Sequence, residues 1–136
     1  MNPLVADTPR YVLLDGSERA SPNLLTNIAQ PRYLAIYGFS DKEPYDLFCD
    51  NSKLELTPYP LVKGYLQDQL KQSEIGHLVV VDAASPDEAH LRAATMESVL
   101  EAQQSQACQV AVSYWLTLDP SSQSYLVEEA LHPERH

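Results

Sequence analysis

The sequence predicts an α/β fold: a single mixed β-sheet flanked by helices, with crossover units in the C-terminal half. Three observations carry this. Short apolar runs rich in β-branched and aromatic residues recur, among them Tyr11–Leu14, Tyr33–Phe39 and Leu78–Val81. Stretches with apolar residues at helical spacing separate the later runs. Ser21-Pro22, Thr57-Pro58, Ser85-Pro86 and Asp119-Pro120 each place a capping side chain before a proline. The cap oxygen accepts an orphan backbone N–H, and proline suits the first helical turn because it has no N–H to lose.

The elements follow in order. Arg10–Asp15 is a strand whose near-continuous apolar run suits burial on both faces. A short helix after Ser21 carries Leu24, Leu25 and Ile28, and Pro31 ends it. Arg32–Phe39 is a second strand and Tyr45–Cys49 a third, with Lys53–Leu56 extending the pairing. The next helix begins near Pro58 or Pro60 and ends near Ser73. Val62, Leu66 and Leu70 form its stripe and Gly76 terminates it. His77–Asp82 is a central β-branched strand. Ser85-Pro86-Asp87-Glu88 reads as a capping box opening a helix to about Gln104, which buries Ala89, Ala93, Met96, Val99 and Leu100. Gln109–Leu118 alternates strictly, so one face is buried. Ser121–Leu131 reads as a last helix, with the return arm of a hairpin as the alternative.

A chain of 136 residues fits one domain, with an ordered core over about 10–131, and buries a sizeable core. The formal charge is −10, from 19 acids against 9 bases. That excess argues against binding nucleic acid through its phosphates and against docking on an anionic membrane. From Ala93 to Glu134 there is no Lys or Arg, which gives a solvated acidic face or a surface that steers a basic partner. Met1–Arg10 has no basic leader region, and no apolar run approaches the ~20 residues of a membrane span. Cys49 and Cys108 form no C-x-x-C pair. A reduced cytoplasmic chain is the simplest account.

Candidate chemistry is sparse. Asp15 and Asp82 each follow an apolar strand, where open α/β sheets bind ligands. None of the four glycines supplies a phosphate-cradling loop beside them. His90, Glu97 and Glu101 share a helical face, but the first gap of seven residues rises about 10 Å, too far for two ligands of one metal. His77, His132 and His136 show no ligand spacing. Cys49 stands beside Asp50, which raises rather than lowers a thiol pKa. No catalytic residue, cofactor or metal is expected. The aromatic residues are more informative. Tyr33, Tyr37 and Phe39 alternate on one strand face, and Trp115 lies opposite the Tyr114 face of its own strand. Left uncovered, these four would be partner-binding anchors; covered by a helix, they are core.

Taken in order, several segments resemble the Tap/TEC type of type VI secretion effector chaperone. They are Tyr11-Val12-Leu13-Leu14-Asp15-Gly16, Pro22-Asn23-Leu24-Leu25, Arg32-Tyr33-Leu34-Ala35-Ile36-Tyr37, Pro60-Leu61-Val62, Ala89-His90-Leu91-Arg92 and Trp115-Leu116-Thr117-Leu118-Asp119-Pro120. The fifth looks like the family's His-Leu-Arg helix, and the last like its final strand ending in Asp-Pro before a helix. The chain departs from the pattern at Leu116 and Ser121, where the family often has arginines, and it lacks the glycine before the Pro-aromatic-Leu-Val element that Pro60-Leu61-Val62 resembles. The resemblance implies a cytoplasmic adaptor that holds an effector toxin and loads it onto the VgrG spike, without catalysis or cofactor. The alternatives are an immunity-type inhibitor and a small ligand-binding or enzymatic α/β domain using Asp15 and Asp82.

Overall fold

The three apolar runs do form strands, but the segments between them fold differently from their local signals. A computed structural model describes residues 5–25, 32–72 and 75–129. The first elements are β1 (Val5–Asp7), β2 (Tyr11–Asp15), β3 (Glu18–Arg19), β4 (Tyr33–Gly38), α1 (Lys42–Ser52) and β5 (Thr57–Pro60). Next come α2 (Lys63–Leu70), β6 (Gly76–Val81), β7 (His90–Thr95) and α3 (Met96–Ser105). β8 (Gln109–Ala111), β9 (Tyr114–Asp119) and β10 (Ser124–Glu129) complete the described residues.

One mixed sheet has the order β10-β9-β7-β6-β4. β4 and β6 are parallel, from Tyr33 opposite Gly76 to Gly38 opposite Val81. The other pairs, β6–β7, β7–β9 and β9–β10, are antiparallel. The parallel crossover therefore runs through α1, β5 and α2, and the C-terminal half, where crossover units were expected, is built from antiparallel returns. β2 lies between β3 and β5 in a second, three-stranded sheet, and β1 pairs with β8.

The five-stranded sheet is curled. Strands β4 and β9 are three positions apart, roughly 14 Å in a flat sheet, yet the rings of Tyr33 and Tyr114 meet edge to face at 5.7 Å. The segment after β3 bridges the two edge strands, β4 and β10. The Ala20 carbonyl accepts the N–H of Tyr37 on β4, and the Asn23 carbonyl accepts that of Tyr125 on β10.

Curling gives the sheet a concave and a convex face, each with its own core. The concave cluster holds Ala35, Tyr37, Leu78, Val80, Leu91, Ala93, Leu116 and Tyr125. Phe48 of α1 enters it, 4.6 Å from the Tyr37 ring and 5.4 Å from that of Phe39. On the convex side Ile36, Val79 and Ala94 pack with Leu66 of α2 and with Met96, Val99 and Ala102 of α3. β2 joins the two: Leu13 belongs to the concave cluster and Val12 to the convex one. Both are fully buried, as its apolar run predicts.

β5 is an edge strand and carries two prolines. It pairs antiparallel with β2, Tyr11 opposite Pro60 and Leu13 opposite Pro58. The Leu61 N–H bonds the Arg10 carbonyl, so by antiparallel alternation residues 58 and 60 face outward along the edge. Neither has an N–H to offer a further strand.

None of the four proline pairs starts a helix among the described residues. Ser21–Leu25 is extended, with Leu24 bridged to Tyr125; Ile28 and Pro31 lie outside the described residues. Thr57-Pro58 opens β5, and α2 begins at Lys63 after an N-cap, Val62, that makes no side-chain bond. Gly76 starts β6 instead of ending a helix, its N–H bonding the Arg32 carbonyl. Ser85-Pro86-Asp87-Glu88 is a turn in which Glu88 accepts from the Ala84 N–H and the Ser85 hydroxyl donates to Asp87. His90–Thr95, expected in a helix by pattern and by resemblance, is a strand. The helix starts at its end, where Thr95 caps α3 by accepting from the Ser98 N–H.

Tyr45–Cys49, read as a strand, lies within α1, which Asp41 caps. Tyr45, Phe48 and Cys49, at i, i+3 and i+4, turn one helical face to the concave core. Lys53 ends that helix in the left-handed conformation, φ 58°. The long strand over Gln109–Leu118 is interrupted at Val112-Ser113, although Val110, Val112 and Leu116 all remain buried. The last segment is the hairpin arm β10. Asp119 accepts the Ser121 N–H and the hydroxyls of Ser121 and Ser122, so its carboxylate organises a tight turn and not a helical start.

Candidate functional site

The four aromatic residues singled out in the sequence fall on opposite faces of the sheet. Tyr37 and Phe39 are 4% and 0% exposed beneath α1, where no docked partner reaches them. Burial raises the Tyr37 phenol well above its ordinary pKa. Tyr33 is half-buried on the same concave face, and it lines a cleft of about 340 Å³ at the sheet end together with Tyr114 and His77. Trp115 is on the convex face and half-exposed. The helix that covers the tyrosine face is α1, which includes Tyr45–Cys49, the expected third strand.

Asp15 and Asp82 serve separate turns. Asp82 has φ 53°, and its carboxylate accepts from the N–H and hydroxyl of Ser40, closing the end of the parallel pair. Asp15 is exposed at the turn into β3, where Gly16 supplies a φ of 68°. His90 is on β7 while Glu97 and Glu101 are on α3, so the three do not share an element. Among the described residues no three His, Cys, Asp or Glu side chains form a group able to hold a metal ion. Cys49 and Cys108 are both free thiols; burial and then Asp46 and Asp50 push the Cys49 pKa up. His132 and His136 lie outside the described residues.

The convex face of β7, β9 and β10 forms a more organised group. Alternation sends Leu91, Ala93, Leu116, Tyr125 and Val127 inward. It therefore sends His90, Arg92, Trp115, Thr117, Leu126 and Glu128 outward. Register aligns them in two rows. Arg92 is opposite Trp115, and Trp115 opposite Glu128. His90 is opposite Thr117, and Thr117 opposite Leu126. The Thr117 hydroxyl donates to Glu128 at 2.9 Å, and the His90 ring stands edge to face with Trp115 at 6.5 Å. All six residues are exposed or half-exposed.

An aromatic ring between a cation and a carboxylate on a convex sheet surface suits protein contact. It offers apolar area at the centre and charges of both signs at the rim. Reading His90–Thr95 as helix hid the group, because Arg92 and Trp115 become neighbours only when both segments are strands. The alternation of Leu91, Ala93 and Thr95 against His90, Arg92 and Ala94 was the available signal.

Among the described residues no helix is long and apolar enough to cross a membrane. Comparison with protein families, characterised proteins and solved structures finds no match.

Proposed function

We propose that this chain is a non-catalytic binding protein of the cytoplasm, an adaptor that holds a type VI secretion effector and aids its loading onto the VgrG spike. The observation that carries the binding role is the half-exposed Trp115 set between Arg92 and Glu128 on the convex face. Tryptophan and arginine lead the residue types that dominate interface energies. The net charge of −10 favours a basic partner surface through faster encounter. The identity of the partners rests on the sequence resemblance.

Co-purification tests this reading. The tagged chain should capture an effector or a VgrG tail, and Trp115→Ala should reduce capture about tenfold or more. The fold should survive, because the side chain is half-exposed on the convex face. Capture of neither partner overturns the adaptor reading. Capture of a toxin with loss of its activity replaces the adaptor with an immunity-type inhibitor, since an adaptor leaves activity intact.

A further inference from the structure

We propose that a second copy of this chain packs on the convex face of β7, β9 and β10, about a two-fold axis that runs parallel to β9 between the facing sheets. The order of charges across that face carries the inference. The outward residues of β7 are His90 and Arg92, those of β9 are Trp115 and Thr117, and those of β10 are Leu126 and Glu128. Basic groups therefore stand on one side of Trp115 and the carboxylate on the other. Each lies one strand spacing from the Trp115 strand, about 5 Å.

This order is self-complementary under a two-fold axis, in which one patch meets its own copy. An axis along β9 leaves that strand facing its counterpart and exchanges the strands on either side. Arg92 then faces Glu128 of the second copy, and Glu128 faces Arg92 of the second copy. Trp115 meets Trp115 of the second copy at the axis, and His90 meets Leu126. Such an arrangement keeps the facing strands nearly aligned, as packed sheets prefer, within about 30° of each other. An axis across the strands would instead set β7 against β7 and β10 against β10, opposing like charges. The charge order thus selects one arrangement of the two copies.

Charge and size set the strength. The net charge of −10 on each chain opposes self-association, but Glu128 is the single acid among these outward side chains. At about 0.15 M salt the screening length is about 8 Å, so acids elsewhere on the chain count for less than pairs in contact. The patch is smaller than a standard interface, so the dimer is transient, with Kd about 100 μM. The proposal goes beyond the binding role above and does not depend on it. Because the second copy covers Trp115, it and a captured partner exclude one another.

The test is sedimentation equilibrium of the full chain in about 0.15 M salt, from about 10 to 500 μM. The mass should rise from that of the monomer toward twice that value. Trp115 is the single tryptophan of the chain, so its fluorescence should change over the same concentrations. Arg92→Glu and Glu128→Arg should each weaken association about tenfold or more, because each sets like charges together. Arg92 is half-exposed and Glu128 exposed, so both variants keep the fold. An equimolar mixture of the two should associate as the parent does. It brings the introduced glutamate against the introduced arginine and leaves one native Arg92–Glu128 pair. A parent that stays monomeric throughout overturns the proposal whatever the variants do. Single variants that associate like the parent, or a mixture that fails to, overturn it as well. Effector or VgrG capture by a monomeric parent removes only the dimer. A dimer without any captured protein removes only the adaptor reading.

Discussion

Ser40 grips Asp82 with both of its donors, the backbone N–H on Oδ1 and the hydroxyl on Oδ2, each at 2.8 Å. Asp82 in turn donates its own N–H to the Gly38 carbonyl at 2.9 Å. The two residues thus tie together the ends of β4 and β6. Asp82 has φ 53°, a conformation that Asp and Asn tolerate better than alanine does. Asp82→Ala should lower unfolding free energy by about 2–3 kcal/mol, combining lost charge-assisted bonds with backbone strain. Asp82→Asn should cost about 1 kcal/mol or less, because an amide still accepts the Ser40 N–H. Urea titration of both variants checks the ordering.

The glycines separate close approach from open space. A Cβ on Gly38 would lie 2.5 Å from Val79 Cγ1, and one on Gly76 2.6 Å from the Tyr33 ring. A Cβ on Gly64, inside α2, would meet nothing within 4 Å. Gly38→Ala and Gly76→Ala should each destabilise by about 1–3 kcal/mol through overpacking. Gly64→Ala should stabilise by about 0.5–1 kcal/mol. Thermal unfolding of the three variants should show two shifts down and one up.

Stability should fall at both ends of the pH range. His77 is 6% exposed, its Nε2 has no hydrogen-bond partner among the described residues, and burial lowers its pKa from 6.5. The unfolded chain binds this proton more readily, so the His77 contribution is complete above pH 6.5 and is lost as pH falls below it. Replacing His77 with leucine should flatten the urea midpoint between about pH 6.5 and 5. Burial pushes Tyr125 up from 10.0 to about 12, and raises Tyr37 as well. Their contribution is complete below pH 10 and declines as pH rises through the interval to about 12. Tyrosinate absorbance should show delayed phenols, with Tyr33 and Tyr65 also shifted up by burial, and Tyr125→Phe should remove one of them.

The prolines of β5 guard an edge. Replacing Pro58 and Pro60 together with threonine restores two outward N–H groups beside a strand whose every residue is exposed. Light scattering should report concentration-dependent association of this variant, while the parent remains at constant mass under the same conditions.

What the sequence made legible was burial, not the route of the chain. The runs at Tyr11–Leu14, Tyr33–Phe39 and Leu78–Val81 are strands because β-branched and aromatic residues packed on two faces leave few other solutions. Proline pairs misled because an Asp or Ser before proline offers the same acceptor to a turn as to a helix. Asp119 uses it for a turn. β7 was hidden by alanine and leucine, good helix formers that here fill the space between β6 and β9. The Asp41 cap of α1 was missed because the nearby proline, Pro44, lies inside the helix and not at its first position. The site suffered most: Trp115 was named, but its neighbours Arg92 and Glu128 come from strands that had been read as helices.

The curl of the sheet governs when the domain exists at all during synthesis. Tyr125 fills the concave core, donates its N–H to the Asn23 carbonyl and accepts the Leu25 N–H, from residues a hundred positions earlier. A nascent chain emerging residue by residue cannot close this core until β10 has left the ribosome. Pairings of such long sequence separation form late and slowly. Before that moment the concave residues of β4, β6 and β7 lack the cover of Tyr125, so the interval between emergence of β2 and emergence of β10 is when the newborn polypeptide most needs protection from aggregation.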